Sequence, residues 1–144
     1  MSAMSDYLEN KLVDLTVRGQ AFTAPATLYF SLHTSATTDA GGGTEVTGGS
    51  YARVSVTASL ANFNGTQGTA GSASSGTGGV TSNAGTITFP APTANWGTIT
   101  NWAVWDASTA GNMLFHGALT TSKTINNGDA APSFAAAALV LTFA

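Results

Sequence analysis

Charge is what this sequence of 144 residues has least of. Asp, Glu, Lys and Arg make up 8% of it, against roughly a quarter of an ordinary soluble domain. Asp6, Glu9, Lys11, Asp14 and Arg18 crowd near the N-terminus, and Asp39, Glu45, Arg53, Asp106, Lys123 and Asp129 are spread over the rest. The four bases are scattered and the net charge is -3. That excludes the basic patch a nucleic-acid partner requires. Cysteine is absent. Disulfides, thiolate metal sites and cysteine nucleophiles are therefore excluded, which fits assembly in a reducing cytoplasm. No run of eighteen apolar residues occurs, so no membrane partner is expected. The N-terminal stretch MSAMSDYLEN carries acids where an export signal would carry bases.

Histidine is nearly absent too. His33 and His116 are the only imidazoles, and neither HxH nor HExxH is present. A metal centre would need two or three such ligands at fixed spacing. The stretch from Asp39 to Glu45 has acids only at its ends, too few for a calcium loop. Gly41–Gly43 and the later glycines lack a following Lys-Ser/Thr, so they form no phosphate-binding loop. Asp39, Asp106 and Asp129 all sit in turn-forming contexts. The expectation is no catalytic residue, no cofactor, no metal and no enzyme activity.

What is present is apolar patterning, with 43% apolar residues, enough for one core in one domain spanning residues 1–144. A single amphipathic helix is predicted over residues 5–18. Ser5 caps it, Asp6 and Glu9 suit the positive end of its dipole, and Gly19 stops it. Met4, Leu8, Leu12 and Leu15 form its apolar stripe. After Pro25 the period becomes two. Leu28, Phe30 and Leu32 mark one strand, and Val54 and Val56 a second. Ile87 and Phe89 mark a third. The stretches from Ile99 to Trp105 and from Met113 to Leu119 read as a hairpin with both faces apolar. Thr121–Ile125 is a further short strand, and Leu139, Leu141 and Phe143 alternate in the last. Residues 35–50 read as loop. Residues 64–85, rich in Gly, Ser and Thr, read as a flexible loop that builds no core. The fold class is mainly β: a β-sandwich, jelly-roll-like, with one N-terminal helix. His33 and His116 fall at strand positions opposite the large apolar residues, which predicts that both face solvent.

So few charges fit either a polar uncharged surface or one covered by neighbouring subunits. Depletion of charge at interface cores favours the second. The partner-contact candidates are Leu8, Leu12 and Leu15 on the helix, with Trp96, Trp102 and Trp105. Exposed tryptophans could also stack on sugar faces, although aromatics at strand spacing are more often core or interface.

Several long stretches carry a family resemblance, in order along nearly the whole chain. They are SDYLENKLVD with the following RG, TLYFSLHTSATTDAGGGTEVTGGSYARV, ITFPAPTANWGTIT, and the WD that precedes GNMLFHGALTTSKTINNGD. These resemble a family of small tailed-phage virion proteins, often labelled tail fibre proteins, whose members placed in virions look like capsid cement or decoration proteins. The resemblance implies a structural protein of the capsid surface that binds the major capsid protein and itself, as a dimer or trimer. Its alternative is a small tail fibre or baseplate protein with a host-glycan-binding tip.

Overall fold

A computed structural model describes residues 2–143; the two terminal residues of the expected domain, Met1 and Ala144, lie outside that range. Strand β1 (Ser2–Met4) leads into helix α1 (Asp6–Val17). Ser5 occupies the N-cap in extended conformation, and its Oγ accepts from the Leu8 N–H. The same hydroxyl donates to the Met113 carbonyl, so the cap also anchors the helix to the sheet. Arg18 is the C-cap, and Gly19 follows at φ +67°, the left-handed region where a side chain is strained.

The strands that follow are β2 (Thr27–His33), β3 (Val54–Thr57), β4 (Val80–Ser82), β5 (Ile87–Thr88), β6 (Gly97–Trp105), β7 (Met113–Ile125), β8 (Ser133–Phe134) and β9 (Val140–Thr142). Five form one antiparallel sheet in the order β1-β7-β6-β2-β3. The second layer consists of two short antiparallel ribbons, β4-β9 and β5-β8. The result is a β-sandwich with one N-terminal helix, its second layer split in two.

Register explains the core. Phe30 pairs with Val104 and Val104 with Phe115, while Leu32 pairs with Trp102. Side chains alternate across a strand, so these residues share one face. Against that face the ribbon side contributes Ile87, Phe89, Leu139 and Leu141, all buried. Gly117 lies opposite Trp102, and a Cβ there would come within 2.8 Å of the indole. That absence of a side chain is what lets the ring lie flat on β7.

Two expectations are corrected. The tract 64–85 is not wholly outside the fold. Val80–Ser82 forms β4, paired with β9, and Asn83 beyond it is buried. The remainder is folded around Gln67, whose amide donates to the Thr69 and Ala73 carbonyls and accepts from the Ser75 N–H. The histidines do not face solvent either: His33 is 1% exposed and His116 9%. The second face of the sheet is roofed by the segment after β2. This segment folds back with the Thr34 N–H on the Thr44 carbonyl and closes beside β2 at the His33–Glu45 bridge.

Candidate interaction surface

Beneath that roof lies a layer of polar side chains. Ser31, Ala103 and His116 are in register across β2, β6 and β7, as are His33 and Asn101 on β2 and β6. The Trp105 indole N–H donates to Ser31 Oγ at 2.7 Å, and His33 Nε2 lies 2.8 Å from the same oxygen. Among the described residues His33 Nδ1 has no hydrogen-bond partner, and it faces Gly43, where a Cβ would come within 3.1 Å of it. Burial lowers the His33 pKa; the nearby Glu45 carboxylate opposes this and Arg53 reinforces it. The imidazole is therefore held neutral.

Arg53 ties the roof to β6. Its guanidinium makes a two-pronged contact with Glu45 at 2.9 and 2.8 Å and donates to the Ala107 and Ala110 carbonyls. It also sits 4.1 Å above the Trp105 ring, a cation–π contact. Burial works against the Glu45 carboxylate. The hydrogen bond and charge of Arg53, with a hydrogen bond from the Tyr51 hydroxyl, outweigh it and hold Glu45 below the usual carboxylate range.

The arrangement that comes nearest to chemistry is on β7. His116 Nε2 lies 2.8 Å from Asp39 Oδ1, and its Nδ1 lies 3.0 Å from Thr37 Oγ1. Hydroxyl, imidazole and carboxylate thus stand in the order a hydrolase uses. The hydroxyl is nonetheless buried and already accepts from the Asn101 side-chain amide. It points at the sheet, onto His116 and Asn101. What the trio does is clasp residues 37–39 onto the sheet.

The predicted contact residues divide. Leu8, Trp96 and Trp102 are buried in the chain's own core, and Leu12 is partly buried against it. Trp96 donates to the Gly49 carbonyl and meets Tyr51 edge-on. Trp105 is half-covered beneath Arg53. The three indoles therefore do not form a sugar-stacking platform. Leu15 is exposed; with Val13 and Val17 it makes the apolar exposure of the helix.

Further apolar exposure lies at residues the sequence reading did not offer as contacts. Leu60, Val80, Val140 and Phe143 are 55%, 39%, 42% and 46% exposed. Val80 pairs with Thr142 and Ser82 with Val140, so Val80 and Val140 share the outer face of the ribbon, while Leu141 points inward and is buried. A groove of about 410 Å³ lies beside Val80, walled by Leu60, Phe63 and Phe143. A second, of about 520 Å³, lies beside Val140, walled by Trp102, Leu119 and Phe134. Neither groove has a charged residue in its wall. The only sequence signal for this face was apolar residues isolated in polar stretches, at Leu60 and Val80, and the alternation of Val140 with Leu141.

The model of the family described as Podophage GP4 fiber I protein gp80 matches residues 3–142. The chain belongs to this podophage fibre family. No curated protein matches it. Membership of the fibre family makes the chain a phage virion structural protein. Among the described residues, no helix is long and apolar enough to cross a membrane, and no group of three or more His, Cys, Asp or Glu side chains could hold a metal ion.

Proposed function

We propose that this fibre-family chain is a structural component of a podophage fibre on the virion surface, and that it works by binding rather than by catalysis. The family match over residues 3–142 carries this reading. The geometry supports it, because each grouping that could have done chemistry is closed on itself. Thr37, His116 and Asp39 clasp a loop; Arg53, Glu45 and Trp105 clamp another. The surface offered for recognition is apolar and neutral. Its partner is accordingly another virion protein, held through apolar burial and backbone hydrogen bonds, with little dependence on salt.

A second reading places the same domain on the head as a decoration protein bound to the major capsid protein. The compact sandwich favours it: the described residues contain neither a repetitive shaft nor a coiled coil. Gold-labelled antibody against the chain, imaged on intact particles, separates the two. Label on the fibres supports the proposal, and label distributed over the head supports decoration. The glycan-binding tip has weaker support, since Trp96 and Trp102 are buried.

A further inference from the structure

We propose that the side of the sandwich along residues 119–125 of β7 receives an extended strand from another virion protein. The inference rests on reading the chain as a virion structural component, but not on where in the particle it sits. β7 is 13 residues long, and β1 pairs with it only from Phe115 to Gly117. Among the described residues, no strand lies beside the rest of that edge towards Ile125. On its other side β7 pairs with β6 at Ala118 and again at Lys123, so residues 119–122 stand opposite Thr100 alone. They form a bulge, which leaves its extra residues out of the ladder. In the other layer, β8 pairs with β5 and with no further strand. A trough runs between β7 and β8. Its two parts, of about 520 and 170 Å³, share Leu119, Thr121 and Phe134 as walls. Alternate residues of β7, namely Leu119, Thr121, Lys123 and Ile125, line the smaller part.

The edge, the trough and one charge select the occupant. An open strand edge is satisfied by backbone donors and acceptors. A helix has spent its own internally, whereas an extended chain offers them. β1 already lies antiparallel on this edge, with Ser2 opposite Gly117. A segment of the same direction continues that line past Leu119 to Ile125. The walls contributed by Leu119, Ile99, Phe89 and Phe134 fit apolar side chains at alternate positions of such a segment. Lys123 supplies the charge. Arg18 pairs with Asp14, Arg53 with Glu45, and Lys11 sits over the Tyr7 ring. Among the described residues, Lys123 is the one base with neither a carboxylate nor a ring against it. An antiparallel segment brings its N-terminal end to Lys123, so an acid at that end completes the match. A bulge discourages indiscriminate edge pairing, which leaves the choice of segment to the side chains of the trough.

The test has two arms. In the first, the full chain is titrated with the peptide acetyl-Glu-Thr-Val-Thr-Val-Thr-amide and followed by NMR. Amide shifts and slowed hydrogen exchange are expected at residues 119–125. Binding should be about two- to fivefold tighter than for the same peptide with Lys in place of Glu. Lys123→Glu should invert that order, and Thr121→Arg, which fills the trough, should abolish binding of both peptides. Lys123 and Thr121 are exposed, so both variants should fold, as checked by circular dichroism. Absence of shifts at residues 119–125 overturns the proposal, as does an order of peptides that Lys123→Glu leaves unchanged. In the second arm, a benzophenone side chain replaces Thr121 in assembled particles, with Val17 as the control position. A cross-link from position 121, and not from 17, to a stretch of a different virion protein with apolar residues at alternate positions is expected. Particles that contain the chain but give no such cross-link overturn this proposal and leave the structural role standing. A cross-link to this chain's own sequence overturns it too, because the occupant is then a second copy. A chain absent from particles removes the structural role and this proposal with it.

Discussion

Replacing Asn83 by alanine should destabilise this protein far more than any other change in its long Gly/Ser/Thr-rich tract. Asn83 is buried. Its side-chain amide donates to the Gly85 carbonyl at 2.7 Å and the Ala135 carbonyl at 2.8 Å, and its Oδ1 accepts from the Leu139 N–H at 2.9 Å. One side chain therefore joins the end of the tract to the approach to β9. Removing it exposes two carbonyls that water can reach, since Gly85 and Ala135 are at the surface. The Leu139 N–H is different: Leu139 is buried, and an orphaned buried donor costs about 1–3 kcal/mol. With a smaller contribution from the carbonyls, the loss should be about 3 kcal/mol, or about 10 °C in Tm for a chain of this length. Thermal and urea unfolding followed by circular dichroism measures it. Ser72→Ala, at an exposed position of the same tract, is the control and should stay within about 0.5 kcal/mol of wild type. An Asn83→Ala protein as stable as that control would refute the view that this tract is stapled to the sandwich.

Acid should weaken the fold through His33. Its folded pKa lies below the ordinary 6.5, so its contribution is fully present above about pH 6.5. It is lost as pH falls below that value, because the unfolded chain takes up a proton the folded chain resists. One proton limits the slope to at most about 1.4 kcal/mol per pH unit, and the urea midpoint from pH 8 to 5 should flatten in His33→Gln. Arg53→Met should cost about 3 kcal/mol by chemical denaturation, since it strips Glu45 of its counter-charge and leaves two carbonyls without their donor. Gly43→Ala should cost about 1–3 kcal/mol by the same assay, because the residue sits at φ +77° and its Cβ would press on Thr37, Ala36 and His33. His116→Ala should lower Tm with no loss of hydrolytic activity; a chromogenic-ester activity present in wild type and missing in this variant would show the trio to be catalytic.

The helix was legible almost to the residue, because its signals are local: a serine cap, acids in the first turn and a terminal glycine. Four strands of the main sheet, β2, β3, β6 and β7, were legible for the same reason, and both halves of the β6–β7 hairpin showed their double burial as apolar residues on both faces; β1 was not, and Met4, expected on the helix stripe, lies in it. What was illegible depends on contacts distant in sequence. β4 has a single large apolar residue, Val80, and exists because it pairs with residues 140–142. The histidines follow a solvent-facing alternation and are buried only because the segment after β2 folds over them, a loop with no apolar pattern to announce it. Strand spacing marks the tryptophans as core or interface aromatics, and it does not say which. Trp102 is buried because Gly117 stands opposite it, and Trp96 because its N–H finds the Gly49 carbonyl. Each of these pairings spans too much chain for periodicity to reveal.

Absolute quantification of this chain against the major capsid protein, by mass spectrometry of purified particles, tests the fibre assignment most directly. A fibre component should be present in every particle in tens of copies, at a fixed ratio to the other tail proteins. Hundreds of copies, in proportion to the capsid protein, would contradict the fibre reading and put the chain on the head; absence from purified particles would contradict a virion role altogether.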